Sequence, residues 1–261
     1  MIYVLRVAIV LLSALAATSY SLGLASDRLN EHPDPLIVLI ERDPSLMVIG
    51  SDSPTFALYA DGMVIFRDES YAYFSVHLDE QQKNTLLAEI TPRSITGLRE
   101  YYQTVYAFGV PTNELYVWVD GRRTRVDVYG VLRSDTNNPR SDEWAPYLDR
   151  PPAAYLRAFD AIVSFAPEAS PWLPERVEVM IWPFEYSREE PLAWPADWPP
   201  FESAERAIGS ELHRLYLPAS EFQRLQRLIK EMSPSQAVEL GGRKWSIAYR
   251  FPFPNESTWM R

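Results

Sequence analysis

The side chains able to do chemistry are few. The histidines are His32, His77 and His213. A protein metal site needs several converging ligands, usually with two of them close in sequence, and no His-Glu-x-x-His motif is present. His77 and His213 each fall in an expected strand just ahead of an expected helix, where an ordinary sheet position is the favoured reading. Cysteine is absent, which removes disulfides, thiolate nucleophiles and cysteine zinc sites together. There is no Gly-x-Ser-x-Gly elbow. None of Lys83, Lys230 and Lys244 has a serine three residues before it, so Ser-x-x-Lys chemistry is excluded. No Walker or dinucleotide fingerprint exists among the 10 glycines, and no cofactor is expected. The run Asp135, Asn137, Asn138, followed by Asp142 and Glu143, begins like a calcium loop. Pro139 and Arg140 then stand where a ligand and the sharp-turn glycine belong, so a solvated loop is expected and no metal.

The segment from Pro171 to Pro200 is the most unusual. It holds Trp172, Trp182, Trp194 and Trp198, half of the 8 tryptophans, together with Phe184, Tyr186 and seven prolines. Trp194-Pro195 and Trp198-Pro199-Pro200 read as extended, polyproline-like pieces. Aromatic rings on a stiff extended segment suit stacking on sugars or on proline-rich peptides. Trp182, Phe184, Tyr186, Trp194 and Trp198 are therefore the candidate binding residues. Glu185, Glu189, Glu190 and Asp197 lie among them, and paired carboxylates are what glycoside hydrolysis uses. The competing reading is a segment that wraps the body and buries its rings, its prolines reducing the entropy lost on ordering.

The elements that must position these residues are read from periodicity and turn signals. Leu36–Ile40 is a short apolar run expected as a buried strand. Apolar runs on either side of Asp61-Gly62 and of Asp120-Gly121 predict hairpins with type I′ turns, and a further hairpin is expected at Gly241-Gly242. Asp79 with Gln82 predicts a capping box for a helix with Leu86, Leu87 and Ile90 on its inner face. Pro151-Pro152 open a second helix, with Tyr155, Phe159, Ile162 and Val163 at core spacing. Ser220 with Gln223 predicts the start of a third, with Phe222, Leu225, Leu228 and Ile229 inside. A strand–helix–hairpin order thus occurs at 74–129 and again at 212–251, consistent with a duplication. The expected fold is α+β, with antiparallel sheets built from hairpins and about three packed helices.

The segment Pro54-Thr-Phe-Ala-Leu-Tyr-Ala-Asp-Gly-Met-Val-Ile65, with the later Val128-Tyr129-Gly130, resembles a hairpin recurring in uncharacterised secreted proteins and lipoproteins of bacteria. The resemblance covers roughly residues 36–130 and implies location and fold style only. The chain lacks the lipobox cysteine of the lipoprotein members.

Length and charge bound the rest. The chain has 261 residues and a formal charge of -10, which disfavours nucleic acid and anionic membrane surfaces as partners. Arg6, the apolar run Val7–Ala17 and the small residues Gly23 and Ala25 follow the order of a signal peptide, removed after residue 25. An uncleaved anchor over residues 7–25 is the alternative. Residues 26–261 are then expected as one globular body with possible half-modules 36–166 and 176–261. The sequence points to a non-enzymatic, exported binding or structural protein of the cell envelope, periplasmic or extracellular, with a polysaccharide or protein partner. The alternatives are a carbohydrate-active hydrolase and a secreted inhibitor or accessory subunit.

Overall fold

The computed structural model describes residues 34–46, 51–131, 148–206 and 211–260. The segment expected to be a signal or anchor, His32 and the calcium-like run at 135–143 lie outside the described residues.

Strand β1 (Pro35–Arg42) is the apolar run expected to be buried, and Ile37 to Ile40 are fully so. Strands β2 (Phe56–Tyr59) and β3 (Met63–Arg67) form the hairpin around Asp61-Gly62. Only Gly62 of that pair has positive φ, at 94°. The loop is therefore a three-residue Ala60-Asp61-Gly62 connection rather than the type I′ turn expected. The Asp61 carboxylate accepts the Met63 N–H at 2.9 Å and so closes the loop from its own side chain. Strand β4 (Tyr73–His77) leads into helix α1 (Glu80–Ile90) through the capping box, with Asp79 and Gln82 bonding each other's backbone N–H. A one-turn helix, α2 (Pro92–Ile95), follows after Thr91, a non-glycine residue at φ 50°.

Strand β5 (Tyr101–Gln103) and the hairpin β6 (Thr112–Val119) and β7 (Arg122–Tyr129) come next. Asp120 and Gly121 both have positive φ, so this turn has the expected type I′ character. Helix α3 (Ala153–Val163) and the short strand β8 (Ser170–Pro171) complete an eight-stranded sheet in the order β5-β7-β6-β1-β2-β3-β4-β8. Alternation along the strands splits its two faces. Ile37, Leu39, Phe56, Leu58, Val64 and Phe66 pack with α1 and α3 through Leu86, Ile90, Tyr155, Phe159 and Ile162. Val38, Ile40, Ala57, Tyr59, Ile65 and Tyr116 belong to the core shared with a second sheet.

That second sheet contains β9 (Arg176–Pro183), β10 (Leu192–Ala193), β11 (Glu205–Arg206), β12 (His213–Pro218), β13 (Val238–Leu240) and β14 (Arg243–Arg250), in the order β10-β13-β14-β9-β12-β11. Helix α4 (Phe222–Glu231) covers it with Leu225, buried, and Phe222, Leu228 and Ile229, half-buried. The Ser220–Gln223 cap is not formed. A 3-10 turn at Ala219–Glu221 precedes the helix, and Glu221 takes the cap position without a side-chain cap bond. The protein is α+β, with largely antiparallel sheets built from hairpins and helices packed on them. Among the described residues no helix is long and apolar enough to cross a membrane.

The strand–helix–hairpin order occurs in both halves, but the hairpins join their sheets differently. In the first, the leading hairpin strand β6 lies against β1; in the second, the trailing strand β14 lies against β9.

The C-terminal residues tie the sheets together. The Phe251 N–H donates to Ser53 Oγ at 2.7 Å, and the Tyr59 hydroxyl donates to the Pro254 carbonyl at 3.0 Å. Arg123 donates to the Thr258 carbonyl at 2.5 Å. Trp259 is buried and meets Trp118 edge to face at 6.3 Å. At the root of this tail Arg250, 2% exposed, donates to Glu178 at 2.8 Å and pairs with Glu256. Glu178 is 1% exposed, and Arg214 approaches its other oxygen at 3.1 Å.

Two substitutions test this account. A Cβ on Gly62 would sit 2.3 Å from the Leu78 carbonyl oxygen, on a backbone already at positive φ. Gly62→Ala should cost at least about 1–3 kcal/mol in urea unfolding, and a loss under about 0.5 kcal/mol would contradict the geometry. Arg250→Met should cost about 3–5 kcal/mol, because Glu178 is left charged and buried, and adding Glu178→Leu should recover part of that loss. A double variant no more stable than the single one would show that the charge is not the cause.

Candidate binding groove

The structure splits the five aromatic candidates of the proline-rich segment. Phe184, Trp194 and Trp198 are buried, at 6%, 9% and 5% exposure; Trp182 is 38% exposed and Tyr186 is 79% exposed. Trp194 and Trp198 meet edge to face at 4.9 Å within the core of the second sheet. Both indole N–H groups are used internally: Trp194 donates to the Pro199 carbonyl at 3.0 Å, and Trp198 to Glu221 at 2.8 Å. Arg224 lies over the Trp198 ring, its guanidinium carbon 5.1 Å from the ring centroid, and binds Asp197 through two nitrogens. The five rings therefore do not form one open stacking surface. Phe184 and Tyr186 pair with each other at 4.8 Å.

Three of the four neighbouring carboxylates are occupied in the same way. Glu185 accepts from Arg243 at 2.8 Å, and Glu189 from Ser233 and Ser235. Hydrogen bonds from Arg224, Arg243 and the two serines hold Asp197, Glu185 and Glu189 below the ordinary carboxylate range. A general acid for glycoside hydrolysis needs the opposite shift.

An open groove lies instead in the first half, with a volume of about 600 Å³. Helix α1 supplies Asn84, Leu87 and Ala88, and α2 supplies Arg93 and Ser94. The β6–β7 hairpin end supplies Trp118, Val119 and Asp120, and β1 supplies Leu36. Leu36, Leu87, Ala88, Trp118 and Val119 make its apolar part. At its rim Arg93 and Asp120 form a two-pronged ion pair at 2.9 and 3.0 Å. Both side chains are exposed, so the pair marks a position more than it stabilises. The Thr91 hydroxyl is buried against the groove without a hydrogen-bond partner. Trp118 is held from behind by Tyr116, stacked at 6.4 Å, and by Trp259.

A second open cleft, about 470 Å³, lies between β3, β4 and the chain entering β8. Met63, Ser75, His77, Glu168 and Ser170 line it. His213 has a different setting, packed between Phe201 and Trp245 at 5.0 and 5.4 Å, and burial holds it below its ordinary pKa. Neither groove nor cleft has a sequence signature, because each is assembled from segments far apart in the chain. Among the described residues no group of three or more histidines, aspartates or glutamates converges on a possible metal position.

Comparison of the chain with protein-family models, curated proteins and solved structures gives no match.

Trp198→Ala should cost about 3–5 kcal/mol, as truncation of a buried indole does; a stability change under about 1 kcal/mol would return the ring to the surface. Acid should loosen the same segment. Carboxyls with lowered pKa values stabilise the fold above their ordinary values of 3.8 to 4.5, and that stability is lost as pH falls through the lowered values. Melting temperatures should therefore drop in that acid range, and Asp197→Asn should drop less steeply than wild type. Parallel curves would remove Asp197 from the account.

Proposed function

We propose that this chain is a non-enzymatic binding protein of the bacterial cell envelope, exported through its N-terminal segment, that takes the apolar body of a small ligand into the groove beside Trp118. The groove carries the reading. Its volume of about 600 Å³ falls in the range of about 300–1,000 Å³ over which proteins hold small molecules. Its wall is mainly apolar, and its polar groups gather at Thr91, Arg93, Ser94 and Asp120. An apolar body lies along Leu36, Leu87 and Trp118, and a polar end meets Ser94 and the Arg93 rim.

The alternatives have less support. Three of the four carboxylates that recommended a hydrolase are bound into the protein's own contacts. Strand addition at β5, the route for an inhibitor or accessory subunit, meets an edge already closed at Gln103. Its N–H and carbonyl both bond Asp149, at 2.9 and 2.8 Å.

The test is titration of the full-length chain with 1-anilinonaphthalene-8-sulfonate, read by energy transfer from tryptophan. Ala88, exposed on the groove wall, is the place to fill it. Wild type should bind the probe saturably, and Ala88→Trp should weaken binding at least about tenfold without lowering the melting temperature. Equal affinity in the two proteins would exclude the groove. Cell fractionation tests the export: the full chain should reach the periplasm in a bacterial host, and a chain without residues 1–25 should stay in the cytoplasm.

A further inference from the structure

The cleft between β3, β4 and the segment entering β8 differs in chemistry from the groove and shares no lining residue with it. Met63 on β3 and His77 on β4 are direct cross-strand partners. Their side chains thus leave the same face of the sheet, with Cβ atoms about 4.5–5.5 Å apart. One step along, Ser75 is the partner of Ser170. Two residues before Ser170, Glu168 lines the same cleft as His77. The cleft thereby gathers one thioether, one imidazole, one carboxylate and two hydroxyls.

None of the Ser75, His77, Glu168 and Ser170 side chains has a hydrogen bond or ion pair with another described residue. This contrasts with the carboxylates of the proline-rich segment, three of which are engaged internally. Met63 is fixed at its base, since its N–H is held by Asp61 and its side chain packs partly against the shared core. His77 is exposed and open to an incoming ion.

The set is wrong for calcium or magnesium, which take oxygen ligands in larger number. It is also poor for structural zinc, which takes four nitrogen, sulfur or carboxylate ligands in a closed site. Thioether sulfur is a soft donor that selects Cu(I), and imidazole also suits copper. We propose that Met63 and His77 form a Cu(I) site at the β3–β4 edge, with Ser75, Glu168 and Ser170 lining the entrance. The ion is taken up as Cu(I) and is bound without a redox step. The proposal stands independently of the groove and its ligand.

The experiment is an anaerobic titration of the full-length chain with Cu(I) against a colorimetric Cu(I) chelator. Zn(II) is titrated in parallel. Wild type should withdraw one equivalent of Cu(I) from the chelator. Met63→Leu, which conserves volume and keeps the strand apolar, should lower Cu(I) affinity at least about tenfold and leave Zn(II) binding unchanged. His77→Ala, at an exposed position, should abolish the one-equivalent uptake without changing the melting temperature. Failure of wild type to compete would overturn the proposal. So would Cu(I) uptake that survives both substitutions, which would place the ion elsewhere in the chain.

Discussion

The arrangement of the two sheets depends on one buried cation. Arg250 ends β14 and is held between Glu178 of β9 and Glu256 of the tail, with almost no access to water. Removing such charges from water is expensive. Burial raises the Glu178 carboxyl above its ordinary pKa despite two arginine neighbours. Buried ion pairs seldom add net stability over a well-packed apolar replacement. The value of this one is positional. An apolar residue at 250 would leave the tail free to leave the sheet at several angles, whereas a guanidinium shared by two carboxylates fixes one. From that angle follow the Phe251–Ser53 and Tyr59–Pro254 bonds, and then the seat of Trp259 against Trp118. The wall of the groove is thus set from the far end of the chain.

Much of the local structure could be read from the residues. The Asp79–Gln82 box, the two-residue turns at Asp120-Gly121 and Gly241-Gly242, and the inner faces of the helices rest on contacts within a few positions. Where the reading departed from the structure, a longer-range contact had intervened. Gly62 lies against the Leu78 carbonyl, so the turn that contains it answers to β4 as well as to its own hairpin. Ser220 does not cap α4 because the helix begins after a 3-10 turn at 219–221, and Glu221 there receives the Trp198 indole. Composition and spacing carry no record of such partners.

The proline-rich segment shows the same limit. Its tryptophans have the same composition whether they point outward to stack on a ligand or inward to fill a core. Prolines interrupt the alternation that would otherwise tell the two apart. What decides the matter is Arg224 on α4 and Glu221 in the turn before it, more than twenty residues away, which bind Asp197 and the Trp198 indole. Likewise, two hairpins that look equivalent in sequence enter their sheets by opposite strands. A turn specifies that two strands pair. It does not specify which of them meets the rest of the sheet.

The accounting of polar groups separates scaffold from site. In the second half, the conspicuous charges close on one another: Asp197 on Arg224, Glu185 on Arg243, Arg250 on Glu178. Such contacts hold a segment in place and leave little to offer a ligand. In the first half, Asn84 and Ser94 line a groove with an apolar wall, and His77 and Glu168 line a cleft beside a thioether. Buried polar groups in a folded protein are normally satisfied within it, whereas exposed ones at a concave surface can exchange water for a ligand. The charges of the proline-rich segment are thus committed to holding it in place, whereas the groove and the cleft lie in the hairpin-and-helix half.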